Sequence, residues 1–481
     1  MKKSFEFARL AMALSAVLFL SVSLFAQAPV VAEPKKETAD FYWVVLKDKA
    51  GTPFSIKKPE EFLSQKALSR RKKINQAVTT QDLPVNPKYV GGLEKSGAKV
   101  QYTSRWFNAA TVIATPEVIK AIEALPYVAS ATFVGKSPAA SVWKNGAPEG
   151  KFDAERMAVA IDSLRYGYAD QQVRQLNGQS LHALGHMGKG ITVVVLDGGF
   201  TSADKHYVFD SLRTKNLLMP ARDFVDNDWQ VCESSSHGTQ VLSVMAANKP
   251  GILIGGAPYA NYVLVKTEDV RSEYRVEECN WIAGLEYADS LGADIINSSL
   301  GYTEFTDKTM NYQYSQLNGT TSFASQAAEL ATARGMIVVN SAGNEGGGDW
   351  KYIGVPADSK GAFSIGAVDS KGNKAGFSSF GPTADGRIKP DVSGPGARVM
   401  AASAASNQLR PASGTSLSAP MISGMLAALW SAFPEKTNLE IMDAVRKSGN
   451  QADAPDNELG YGIPDFMKAY QLLKVKLPER P

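Results

Sequence analysis

From about Leu164 onward the chain alternates continuous apolar runs with amphipathic stretches: GITVVVLD, HGTQVLSVMAAN, NYVLVKTE, VEECNWIAGLEYADSLG, ADIINSSLG, TTSFASQAAELATARG and MIVVNSAGN. A strand that is apolar at successive positions has no wet face. These runs therefore predict a parallel sheet covered by helices on both sides. Such a sheet collects its functional groups beyond the carboxyl ends of its strands. Here LDGG, SLGY and AGNEG close three runs, so polar and glycine-rich tips converge on one edge.

The preceding part has another rhythm. Residues 40–134 read as a small α+β unit, with strands at FYWVVLKD, NAATVIA and VASATFV, a helix and strand in YVGGLEKSGAKVQYTS, a basic helix PEEFLSQKALSRRKKI and a second helix PEVIKAIEAL. The Gly-, Pro- and Ser-rich GKSPAASVWKNGAPEGK then marks a linker and a domain boundary. At the start, MKKSFEFAR precedes the apolar LAMALSAVLFLSVSLFA and a small-residue FAQA exit, the pattern of a secretory signal cleaved after Ala26. The mature chain is thus expected to be exported, secreted or periplasmic, with no membrane span after signal removal.

Of the 481 residues only two are cysteine, Cys232 and Cys279, which excludes a disulfide scaffold and leaves one bridge between them open. His182 and His186 stand four apart, but LHALGHMGKG is broken by glycine, and no histidine lies in a zinc spacing with the cysteines. No metal is assigned. Residues 29–150 carry 18 basic and 11 acidic side chains, a net +7, whereas residues 151–481 carry 30 and 36, a net −6. The basic charges are dispersed rather than striped with aromatics, which speaks against nucleic acid as a partner and for attraction between the two parts.

Near the C-terminus GTSLSAP sets Ser416 where a glycine turn becomes a helix, either as a cap or as a nucleophile, with backbone amides and the positive dipole end aimed at any oxyanion formed there. A serine nucleophile requires a base, an orienting carboxylate and an oxyanion donor. Asp197 closes GITVVVLD, and His237 opens HGTQVLSVMAAN. The three groups occur in the order Asp, His, Ser. An α/β-hydrolase would need G-x-S-x-G and the order Ser, Asp, His, and both fail.

Over residues 164–473 the chain resembles the subtilisin family of serine peptidases, for VVVLDGGF, SSHGTQV, INSSLGY, NSAGNEG, RIKPDVSGPG and GTSLSAP match that family's blocks in order. The resemblance implies a three-layer α/β sandwich with a mostly parallel sheet, and a serine endopeptidase with protein or peptide substrates. It implies Asp197 as orienting acid, His237 as general base, Ser416 as nucleophile and Asn344 as side-chain oxyanion donor. An extended substrate would pair with Ser299, Leu300 and Gly301 on one side and Ala342 and Gly343 on the other, and Glu345 resembles a position lining the primary specificity pocket. Glu268, Asp269, Glu273, Glu277 and Glu278 border the cleft in the resembled fold, either as a solvated helix start or as a wall recruiting basic side chains.

The sequence departs from the family pattern at SLSAP, where methionine and alanine commonly follow the serine, at DGG after the acid, and at GPG for Ala-Pro-Gly. No cofactor is required by this chemistry, and calcium stays unassigned. Residues 27–150 resemble the family's ferredoxin-like inhibitory prosegment, through WFNAATVIATPEVIKAIEALPYVASATFV. The expected organisation is a signal peptide at 1–26, prosegment and linker at 27–150, and catalytic domain at 151–481. Self-processing is expected between Gly135 and Tyr166. An inactive, peptide-binding relative is the alternative reading.

Overall fold

The computed structural model describes residues 38–137 and 166–474, of which 39–474 lie in one compact unit. The expected signal peptide and most of the linker, with the processing window, lie outside the described residues.

The first part is a four-stranded antiparallel sheet of β1 (Asp40–Leu46), β2 (Lys99–Ser104), β3 (Ala109–Ala114) and β4 (Val128–Gly135), in the order β2-β3-β1-β4. Three helices accompany it, α1 (Gln65–Lys73), α2 (Pro87–Lys95) and α3 (Pro116–Glu123). This is the expected ferredoxin-like arrangement. The basic helix is shorter than PEEFLSQKALSRRKKI suggested. Pro59–Glu61 form a separate 3₁₀ turn, and α1 starts afresh where the Ser64 hydroxyl accepts from the Ala67 N–H.

The second part is built on a seven-stranded sheet. Its strands are β5 (Thr192–Asp197), β6 (Arg222–Asp223), β7 (Asn261–Lys266), β8 (Ile295–Ser298), β9 (Ile337–Ser341), β10 (Ala362–Val368) and β11 (Val392–Pro395). The order is β11-β10-β9-β8-β5-β7-β6, and all pairings are parallel. Every residue of β5 is buried, as its unbroken apolar run requires. Val193 and Val195 join a core with helices α4 (His237–Ala246) and α7 (Thr415–Ala432), while Val194 and Leu196 face α5 (Val276–Leu291) and α6 (Phe323–Ala333) on the other side. The chain turns back at β5, which pairs with β7 on one edge and β8 on the other. That reversal opens a crevice at the carboxyl ends of β5 and β8.

The two parts meet along α5. Phe41, Trp43, Ala109 and Val134 of the small sheet form one apolar cluster with Val276 and Cys279. Beside it the fully buried Asp289 accepts from Arg70, Arg71 and Arg105, the last two at 2.7 and 2.5 Å. In the reverse sense Arg334 donates to the buried Asp82 at 2.8 Å. The attraction inferred from net charge is thus concentrated in a few desolvated pairs. Both cysteines are free thiols in different cores, Cys279 against the small sheet and Cys232 against the α4–α7 side, so the bridge left open by the sequence does not form.

Candidate active site

Asp197 is the last residue of β5, and its carboxylate is 1 % exposed. The N–H of Gly198 donates to it at 2.8 Å, and both oxygens lie at 2.9 and 3.0 Å from Nδ1 of His237. His237 opens α4, whose first turn is drawn against the loop after β5: Gly238 N–H donates to the Gly199 carbonyl at 3.1 Å. A Cβ on Gly238 would stand 2.4 Å from that oxygen, so only glycine allows the approach. Burial disfavours charge on the imidazole, but the neighbouring carboxylate outweighs it, and the net effect raises the His237 pKa above 6.5.

Ser416 is the second residue of α7, buried to 7 % exposure, and α7 packs on α4 across the same face of the sheet. Asn344 follows β9, and its Oδ1 accepts from the backbone N–H of Thr415 at 2.9 Å and from the Thr415 hydroxyl at 3.1 Å. With the oxygen so engaged, the Asn344 amide nitrogen is turned to the mouth of α7. A Cβ on Gly414 would lie 2.8 Å from Ser416 Oγ and 3.7 Å from Asn344 Nδ2, so a methyl group would intrude between the hydroxyl and the amide. The role of Thr415 was not drawn from GTSLSAP, because its partner lies 71 residues away.

Ser299, Leu300 and Gly301 follow β8, and Ala342 and Gly343 follow β9, its parallel neighbour. The two expected substrate segments therefore emerge side by side. A cavity of about 500 Å³ opens next to Asn344, lined among others by Glu304, Glu345, Asp349, Trp350 and Phe377. The Glu345 carboxylate on its wall accepts from the Ser379 hydroxyl at 2.9 Å.

The acids after β7 are neither a solvated helix start nor a continuous wall. Asp269 is ion-paired with Arg271 at 2.6 Å, and Glu278 is buried beneath Tyr312 and Ser322, which donate to it at 2.7 and 2.8 Å. Glu277 is buried and receives the Asp269 N–H. Glu268, Glu273 and Glu277 stand close enough for one oxygen of each to lie within 4.8 Å of the others. Burial raises the pKa values of all three, and repulsion from neighbouring acids adds to it at Glu268, which is raised to about 8, and at Glu277. Glu268 and Glu277, which hold their protons at neutral pH, make a poor lure for a cationic side chain. In a second acid group, Asp223, Asp226 and Glu233, the buried ammonium of Lys266 sits at 2.9, 2.8 and 3.8 Å and neutralises the carboxylates. His182 is likewise engaged, with Tyr166 Oη at Nδ1 and the Gly256 carbonyl at Nε2, both at 2.9 Å.

Two departures from the resembled pattern are in contact. The Ser418 hydroxyl donates to the Gly366 carbonyl at 2.7 Å and accepts from the Gly394 N–H at 3.1 Å. A Cβ on Gly394 would fall 3.1 Å from that same oxygen and 3.1 Å from Ile422 Cδ1, so the hydroxyl at 418 and the Ile422 side chain together crowd the room that a methyl at 394 would need. At Gly198 a Cβ would meet neighbours only at 3.4 Å and beyond, so the first glycine of DGG is not demanded by space.

A family model described as the Subtilase family of S8 peptidases matches residues 188–462, and one described as a peptidase S8 propeptide domain of Bacteroidota matches residues 41–149. The chain is 27% identical over 360 residues to Subtilisin NAT of Bacillus subtilis subsp. natto, covering 74% of this chain and 79% of that protein. It is 29% identical over 286 residues to the thermostable alkaline protease of Halalkalibacterium halodurans, covering 58% and 68%. The crystal structure of MycP1 from Mycobacterium smegmatis matches in fold with a TM-score of 0.50 at 19% identity, covering 66% of this chain and 87% of that one.

Proposed function

The chain belongs to the subtilase family of serine endopeptidases and carries its propeptide domain, and from that premise we propose that Asp197, His237 and Ser416 form its catalytic triad, with Asn344 in the oxyanion hole. The observation that carries this reading is the grip of a buried carboxylate on His237 Nδ1 at 2.9 and 3.0 Å, which fixes the tautomer with Nε2 free to accept a proton. His237 Nε2 takes the Ser416 proton as Oγ bonds to the peptide carbonyl carbon. Asp197 stabilises the resulting imidazolium. The carbonyl oxygen, now negative, accepts from the Ser416 backbone N–H and the Asn344 amide. As the tetrahedral species collapses, the C–N bond breaks and the imidazolium proton goes to the leaving amine. Water, deprotonated by His237, then adds to the acyl carbon, the ester bond to Ser416 Oγ breaks, and the imidazolium returns its proton to Oγ.

Residues 27–150 act as an inhibitory prosegment, removed by the enzyme itself between Gly135 and Tyr166 after export directed by residues 1–26. Among the described residues no helix is long and apolar enough to cross a membrane. Substrate lies between the segments at 299–301 and 342–343, with Glu345 at the specificity pocket.

A fluorophosphonate probe tests the site directly. Peptide mapping should find the adduct on Ser416 and none after Ser416→Ala. Labelling elsewhere, or no labelling of the matured protein, would favour an inactive peptide-binding relative. Asn344→Leu should keep the fold and the label while losing roughly 100- to 1000-fold in kcat, the scale for one oxyanion donor. A loss confined to KM would assign Asn344 to binding.

A further inference from the structure

Helix α7 has a defect at its most sensitive point. In a regular helix the carbonyl of Ser416 would accept from the N–H four residues on, but that residue is Pro420, which has none. The carbonyl is also buried, and an unsatisfied buried acceptor is costly. The Ser299 hydroxyl supplies the missing donor, at 2.9 Å from Ser416 O. Ser299 does not stand alone: its oxygen accepts from Asn297 Nδ2 at 3.2 Å, and Asn297 Oδ1 accepts from the Ser423 hydroxyl at 2.8 Å. Ser423 lies two turns along α7 from Ser416, on the same face. Asn297 and Ser423 are fully buried, and Ser299 and Ser416 are each 7 % exposed.

We infer that Ser299, Asn297 and Ser423 form a positioning relay that fixes the backbone of Ser416 in place of the hydrogen bond Pro420 cannot make. This rests on Ser416 being the nucleophile. Ser299 accepts one bond and donates one, so its proton is committed to the Ser416 carbonyl, and the whole relay runs in one direction from helix to strand to helix. It ties the segment expected to hold substrate, after β8, to the residue expected to attack it. The backbone of Ser299 remains available to substrate while its side chain is turned to α7.

The test compares variants of the matured enzyme, with active sites counted by fluorophosphonate labelling so that unfolded molecules drop out. Ser299→Ala should lower kcat about tenfold, the scale of one neutral hydrogen bond lost with its acceptor left buried, while KM stays within about twofold and the acid limb of the pH profile does not move. Ser423→Ala, out of reach of any substrate, should lower kcat in the same direction by about threefold. Adding Pro420→Ala to Ser299→Ala returns a backbone donor to the Ser416 carbonyl and should recover most of the lost kcat. An unchanged kcat in Ser299→Ala, a loss only in KM, or a double variant no faster than the single would each overturn the relay. If the double variant does not fold, Ser423→Ala decides: an unchanged kcat there overturns it. A parent enzyme that neither labels nor hydrolyses would instead remove the reading of Ser416 on which the relay stands.

Discussion

Burial alone would keep the His237 imidazole neutral, but the Asp197 carboxylate at 2.9 Å from Nδ1 outweighs it and raises the pKa above 6.5. A general base works only when unprotonated, so kcat/KM should fall as pH drops through a value above that of a free imidazole. Asp197→Asn removes the charge that causes the shift. Its acid limb should move to lower pH, and its rate should drop by about 10⁴-fold. A pH–rate profile of both proteins checks this, and a limb that does not move would place the cause elsewhere. At the same scale, Gly394→Ala alone should destabilise the fold, because its methyl would press on Ser418 Oγ and Ile422 Cδ1, each from 3.1 Å. Ser418→Ala alone should also be costly, since it leaves the Gly366 carbonyl and Gly394 N–H without their shared partner. The two together restore the commoner family pattern, and thermal melting should find the pair less damaging than the sum of the singles. An additive pair would mean that the two departures are unrelated.

Helix α5 is the element that joins prosegment to peptidase. Asp289 accepts from three arginines of the prosegment and is fully buried beneath them. Burial works against its charge, and the arginines overcome it, holding the carboxyl below its usual range. Breaking such a pair strands the partners, so Asp289→Asn in the mature enzyme should weaken inhibition by an added 29–150 fragment by about 100-fold or more. A change under about threefold would assign the interface to its apolar cluster. Because these pairs are desolvated, salt should slow association, where the net charges +7 and −6 act at a distance, and leave dissociation nearly unchanged. None of this could be read from the helix sequence alone. Asp289 and its arginine partners lie 184 or more residues apart, and no local pattern announces the pairing. Glu277 and Glu278 misled for the same reason: two acids in a first turn look solvated until the covering strands and the Tyr312 loop are in position.

For the whole molecule, the sheet was legible because two-sided burial writes itself as unbroken apolar runs, and β5, β7, β8 and β9 each fall inside one. The candidate triad was legible because its groups occupy element ends that carry glycine. What escaped were the fresh start of α1 at Ser64 and two contacts between segments far apart in sequence, the Asn344–Thr415 brace and the Ser299 link to α7. The proposed function makes these parts one self-processing zymogen with Ser416 as its nucleophile. Intact mass after refolding in the absence of other proteases tests that most directly. The parent should lose its prosegment at a site between Gly135 and Tyr166, and Ser416→Ala should fold yet keep its full length. A Ser416→Ala protein trimmed like the parent would contradict the claim.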